Sequence, residues 1–315
     1  MEARVTCSLL ALLLVLASPG PAREADPSPP PAKEQVLLDK LRARIDAADR
    51  GLDGVLGVSV KDLTSGASVE LRAAEVFPTA SSIKTAVLYE LYRQAEEGKI
   101  DLGEVTRSPL PRVGGGGVLE SLGPQVALTW RDLAVLMFGF SDNEATNVLV
   151  RRLGLPAISQ RLVTLGFSQT RMRRLMMDLD AARRGDENVS TPGELRRLME
   201  VVYEGPGLSP SRASDLRAVA AVQKWGTAWI PASPFREHLP ETLQILDKRG
   251  DLEGVRCVTA VVPLKGRPYA AAIMTSYLRR DADGEAAIRE ISAAIYETFD
   301  RLARASEYGR VISER

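Results

Sequence analysis

The chain has 315 residues, room for one large domain or two interleaved ones, and its 45% hydrophobic and 26% charged residues are the balance of an ordinary folded globular protein. Lys plus Arg and Asp plus Glu each total 41, so the formal net charge is zero and composition gives no electrostatic case for a nucleic-acid partner. The basic clusters RMRR at 171–174 and ARR at 182–184 read as local solvated surface.

Residues 1–22 place Arg4 before an apolar run from Leu9 to Ala17 and end on small residues at Ala22. That is the layout of a secretory signal peptide, and the run is too short to span a bilayer comfortably. The expectation is export, to the periplasm or as a secreted protein, with no stable membrane insertion and a monomeric mature chain; a retained anchor is the alternative. Cys7 would leave with the signal, so Cys257, in the apolar context GVRCVTAVV, has no intrachain partner and reads as a buried small hydrophobe.

Residues 23–34 form a Pro-rich linker and residues 35–315 the folded domain. Leu37, Leu41 and Ile45 mark a first helix ending at Gly51; GVLGVSVKDL and ASVELRAAEVF then read as two strands joined by the turn TSG. A helix is expected from Ser81 to about Glu97, stopped by Gly98. TWRDLAVLMFGF begins another, capped by Thr129 with Asp132 three residues on. NEATNVLVRRLG follows. TPGELRRLMEVVYEG has Thr191 as cap, Pro192 in the first turn, Glu194 closing a capping box and Gly205 as stop, and SRASDLRAVAAVQKW continues the helical layer. TLQILDKRG, VRCVTAVVPLKG and RPYAAAIMTSYL read as three strands, and GEAAIREISAAIYETFDRLAR as a closing amphipathic helix. The pattern predicts an α+β fold: one antiparallel sheet flanked by terminal helices (about 35–78 and 240–315) with an inserted all-helical subdomain (about 79–239). The glycine run Gly114 to Gly117 lacks the Lys-Ser/Thr of a phosphate loop and reads as a flexible connection.

The chain has one histidine, His238, in REHLPE, where a loop role is expected. One His and one mature Cys argue against a metal centre, no G-x-S-x-G elbow supports a Ser-His-Asp triad, and no cofactor is implied. A serine attacking without histidine needs another base, and a lysine serves where burial or nearby cations lower its pKa. Ser81 and Lys84 in FPTASSIKTAVLYEL stand one helical turn apart, at a helix start whose unpaired N–H groups favour developing negative charge. Taken alone, S-x-x-K is a weak signal that many helices carry by chance.

Two later segments strengthen it. FGFSDNEATN places Ser141, Asp142 and Asn143 after an apolar helix, and ILDKRGDLEG places Lys248 and Gly250 on a late strand. S-x-x-K, S-D-N and K-x-G in this order resemble the class A serine β-lactamases and their penicillin-binding relatives, over essentially the whole mature chain. The resemblance implies that fold, a small-molecule β-lactam or cell-wall-peptide-like substrate, and these roles: Ser81 the acylated nucleophile, Lys84 its proton acceptor, Ser141 the shuttle to the leaving nitrogen. Asn143 would bind the substrate's side-chain amide, and Lys248 would hold Ser141 and the substrate carboxylate. The N–H groups of Ser81 and Asp251 would form the oxyanion hole, and Gly250 would let the strand approach the ligand. Asp142 would brace its turn.

Two departures stand out. The family's hydroxyl residue between Lys and Gly is Arg249 here, which could bind an anion or fill the cleft. The family's E-x-x-L-N, whose Glu activates the deacylating water, is missing from RRLMMDLDAARRGDENVSTP. Asp178 is the nearest acidic substitute, with Asp180, Asp186 and Glu187 as others; all four also read as capping or surface acids. Three readings follow in order: a β-lactamase opening β-lactam amides through a Ser81 acyl-enzyme; a penicillin-binding-type serine peptidase or esterase with slow deacylation; and a ligand-binding relative without catalysis.

Overall fold

The computed structural model describes residues 32–106, 112–123, 126–222, 233–306 and 308–312. The signal peptide and nearly all of the Pro-rich linker lie outside them. Among the described residues no helix is long and apolar enough to cross a membrane.

In chain order the elements are α1 Ala32–Gly51, β1 Val55–Asp62, β2 Ser68–Leu71, β3 Phe77–Pro78, a 3₁₀ turn Ala80–Ile83, α2 Lys84–Glu96, β4 Val105–Thr106, β5 Leu128–Thr129, α3 Trp130–Gly139 and α4 Asn143–Leu153. They continue with α5 Leu155–Thr164, α6 Leu179–Arg183, β6 Val189–Ser190, α7 Pro192–Glu204, α8 Pro210–Ala220, β7 Leu246–Leu252, β8 Val255–Val262, β9 Tyr269–Ser276 and α9 Asp281–Ala303. The fold is α+β, with a five-stranded sheet in the order β2-β1-β9-β8-β7 whose pairings are all antiparallel.

Alternation along the strands sends side chains to two different cores. Val58, Val60 and Ile273 pack against Leu41 and Ile45 of α1 and Ile291, Ile295 and Phe299 of α9. On the other face, Ala272, Met274 and Cys257 meet Phe77 and Leu195 of α7. A third core lies within the helical block, where Val87 and Leu91 of α2 join Leu133, Phe138 and Leu149. Close packing across the sheet needs Gly57, where a Cβ would lie 2.7 Å from the Phe77 ring and 2.8 Å from Pro192 Cγ.

The local signals work through identifiable bonds. Thr129 and Asp132 form a reciprocal capping box, and Gly205 ends α7 in a left-handed conformation at φ 65°. The second predicted strand is split: the chain leaves the sheet at Arg72, whose guanidinium donates to Asp49 and the Leu56 carbonyl, and Phe77 pairs instead with Ser190. Glu194 does not close a capping box. Thr191 does cap the Glu194 N–H, but the Glu194 carboxylate accepts from the N–H groups of Ser168, Gln169 and Thr170 and from the Thr170 hydroxyl. Burial alone would raise the Glu194 carboxyl, and these donors hold it below its ordinary value.

Candidate active site

Among the described strands β7 lies at one edge of the sheet, and its Gly250 packs against Thr79 and Ser82 at the 3₁₀ turn that starts α2. A cleft of about 310 Å³ opens there, lined by Ser81, Ser141, Asn143, Lys248, Arg249 and Asp251 among others. Six predicted site residues, from three distant stretches of the chain, therefore share one cavity.

Ser81 sits inside the 3₁₀ turn, one residue after Ala80 at φ 47°, while Lys84 opens the α-helix proper. Ser82 is excluded from the cleft. Its buried hydroxyl donates to the Lys248 carbonyl at 3.0 Å and lies 3.2 Å from Cys257 Sγ. Lys84 is fully buried and its ammonium donates to Asn143 Oδ1 (2.9 Å), the Ser141 carbonyl (2.7 Å) and Ser141 Oγ (3.3 Å). Lys248 reaches the same hydroxyl from the sheet side, donating to Ser141 Oγ at 3.0 Å and to the Arg249 carbonyl at 2.9 Å. Two lysines from opposite walls thus converge on one serine oxygen.

Ser141 is held in the left-handed region at φ 55°, and Asp142 explains how. The Asp142 carboxylate caps α4 through the Ala145 N–H and also accepts from the Leu119 N–H, bracing the turn as expected. Ala80, Ser141 and Met177 are three of the five non-glycine residues with positive φ among the described residues, and all three line the cleft.

Four expectations change. Gly250 makes room for protein rather than ligand: a Cβ there would lie 2.9 Å from the Ser82 nitrogen and 2.7 Å from Cys257 Sγ, and would strike the Thr79 carbonyl. Asp178 does not line the cleft. It is exposed, and its carboxylate caps α6 through the Ala181 N–H at 2.9 Å. Asp180 pairs with Arg183, Asp186 with Arg184 and Glu187 with Arg174, so the neighbouring acids serve the loop as well. Arg174 is not solvated surface; it is buried, lines the cleft and is clamped by Glu187. The glycine run is a wall rather than a mere connection. Gly115 lies against Met177 where a Cβ would collide with the thioether, and its carbonyl accepts from Asn143 Nδ2 at 3.0 Å.

Periodicity and motif reading missed the loop residue that fronts the cleft, Met176. Its backbone is bracketed by one side chain: Asn147 Oδ1 accepts from the Met176 N–H (2.8 Å) and Asn147 Nδ2 donates to its carbonyl (3.0 Å). Among the described residues, Asp251 is the one acid that lines the cleft, and residues 167–191 contribute none. Asp251 is itself committed. Arg249 Nε donates to its two oxygens at 2.7 and 2.8 Å, and Arg249 Nη2 donates to Glu285 of α9 at 2.6 Å. Burial would lower the Arg249 guanidinium, but its two carboxylate partners raise it above its ordinary value. Arg256 joins the same group through Asp251, Asp281 and Glu285. Arg249 is therefore a paired cation rather than an open anion receptor. His238 is exposed, and no cluster able to hold a metal ion occurs among the described residues. Cys257 is buried, and burial pushes its thiol up to about 12.

The profile of the β-lactamase enzyme family matches residues 40–299. The chain belongs to that family. β-Lactamase ROB-1 of Haemophilus influenzae is 29% identical over 293 residues, covering 87% of this chain and 90% of that one. β-Lactamase CARB-3 of Pseudomonas aeruginosa is 26% identical over 270 residues, covering 82% and 90%. Among solved structures, an ancestral class A β-lactamase superposes with a TM-score of 0.72 at 25% identity, covering 82% of this chain and 100% of that one. PBP-A gives a TM-score of 0.73 at 25% identity, covering 83% and 96%, and a point mutant of PBP-A is known as an acyl-enzyme complex with penicillin G. The fold expected from the three motifs is thus the class A β-lactamase fold.

Proposed function

We propose that this β-lactamase-family chain opens β-lactam amide bonds by forming an acyl-enzyme on Ser81, with release of the acyl group as its slow step. The observation that carries the reading is the Lys84–Ser141–Lys248 relay, in which both ammonium groups lie within 3.3 Å of Ser141 Oγ in the cleft that Ser81 lines. Like charges sharing one acceptor favour the state in which one amine is neutral and can take a proton. In this reading Ser81 Oγ attacks the lactam carbonyl carbon and its proton passes to Lys84. The Ser81 and Asp251 N–H groups take the developing oxyanion. As the C–N bond breaks, Ser141 gives its proton to the departing nitrogen and regains one from Lys84.

Slow release follows from the loop. Hydrolysis of the ester needs a base to activate water, and among the described residues no acid from residues 167–191 lines the cleft. This favours a penicillin-binding-like balance of fast acylation and slow turnover. The reading includes export directed by residues 1–22 and a monomeric mature protein. Incubation with a fluorescent penicillin and a chromogenic cephalosporin tests the core of it: labelling far exceeding turnover in the wild type, with neither in Ser81→Ala, is expected. Equal behaviour of the wild type and Ser81→Ala with both reagents would remove the reading.

A further inference from the structure

Among the buried hydroxyls that find no hydrogen-bond partner within the described residues, those of Thr85, Ser233 and Tyr269, only that of Ser233 belongs to a residue lining the cleft. Ser233 is 2% exposed. A buried hydroxyl without a partner carries a desolvation cost that a bound acceptor would remove.

Its position is built rather than incidental. The Ser233 carbonyl accepts from the Arg236 N–H at 2.9 Å, closing a turn. The Arg236 side chain then locks that turn to β7, pairing with the fully buried Asp247 and donating to the Ile245 carbonyl at 2.6 Å. Phe235, between them, is buried and its carbonyl accepts from Ser292 of α9 at 2.6 Å. Ser233 is therefore fixed relative to Lys248, the residue after Asp247, and the two line the same cavity.

The chemistry of that wall selects an anion. Lys248 supplies a positive charge, while the guanidinium of Arg249 is spent on Asp251 and Glu285. A neutral hydroxyl donor that shares a cavity with a lysine is suited to a carboxylate oxygen, which hydrogen-bonds more strongly than a neutral acceptor. We propose that Ser233 is a specificity-determining residue that donates a hydrogen bond to the carboxylate of the substrate, alongside Lys248. The proposal rests on the β-lactam reading above.

The test measures equilibrium binding of benzylpenicillin and of its methyl ester to Ser81→Ala, to Ser81→Ala/Ser233→Ala and to Ser81→Ala/Ser233→Thr, with fluorescent-penicillin labelling of the protein with intact Ser81 as a separate readout. The alanine change is expected to weaken binding of the free acid by about tenfold to hundredfold while leaving the ester within twofold. The threonine change, which keeps a hydroxyl, should restore most of the loss. Thermal unfolding should not move downward, because the alanine removes an unpaired group. Equal effects on acid and ester, or none on either, would overturn the role of Ser233 even where the intact protein is labelled. Absence of both labelling and binding would overturn the β-lactam reading, and with it this inference.

Discussion

Replacing Met176 by glutamate would put a carboxylate where the loop meets the cleft. Met176 is 7% exposed and lines the cavity, and Asn147 fixes its backbone on both sides, so the new side chain inherits a defined starting point. Both side chains are unbranched at Cβ and similar in length, which makes the change one of chemistry more than of shape. Lost apolar burial costs about 2 kcal/mol, a drop in Tm of roughly 4–8 °C for a chain of this size. A positioned general base contributes about 10²- to 10⁴-fold, or roughly 3–5 kcal/mol of barrier. Because an error of about 1 Å in placement costs up to 10²-fold, the low end is expected, near a hundredfold faster deacylation. The assay acylates each protein with one equivalent of penicillin and follows decay of the adduct by intact mass. If Met176→Glu acylates at the wild-type rate but its adduct decays within twofold of the wild type, the assignment of slow release to this loop position is wrong.

Three further outcomes follow from the geometry. Gly250→Ala drives a methyl group into the backbone of the turn that carries Ser81, so labelling by a fluorescent penicillin should slow by at least about a hundredfold while circular dichroism stays native. Arg249→Thr leaves Asp251 and Glu285 with fewer cations; urea denaturation should show a loss of about 1–3 kcal/mol, between surface-pair and buried-pair values, and Asp251→Asn in the same background should recover part of it. Glu194→Gln should cost about 2–3 kcal/mol at pH 7, because a carboxylate that accepts several loop N–H groups becomes an amide. The Glu194 carboxyl is depressed in the folded state, so its contribution is present above the ordinary Glu pKa and is lost as pH falls through the depressed value. The difference between Glu194→Gln and wild type, measured by urea denaturation, should therefore shrink toward acid pH.

The architecture was legible because its signals are local or ordered. Capping at Thr129, the left-handed stop at Gly205 and the alternation of the late strands need only near neighbours to read. The three motifs identified the polar centre because their order, rather than any one of them, is improbable by chance. What escaped was set by contacts between distant segments. Glu194 has the spacing of a capping box, but three N–H groups of a loop 24 to 26 residues away compete for its carboxylate and win. Arg174 looks like surface charge until Glu187 folds back onto it, and the glycine run looks like a linker until Met177 fills the space a side chain would need. Asp178 is the nearest acid by position, yet a short helix begins beside it and takes its carboxylate as a cap. Met176 carries no sequence signal for its place in the cleft; only the bracket by Asn147 reveals it.

Under the proposed function Ser81 becomes covalently acylated and loses the acyl group slowly. This is tested most directly by mixing the full chain with excess benzylpenicillin, quenching over time and mapping the modified peptide by mass spectrometry. One penicilloyl group per chain is expected on the peptide containing Ser81, formed within the first time points and persisting long after free penicillin is removed, and none in Ser81→Ala. An unmodified Ser81 peptide under these conditions, or the same adduct in Ser81→Ala, would contradict the proposed function.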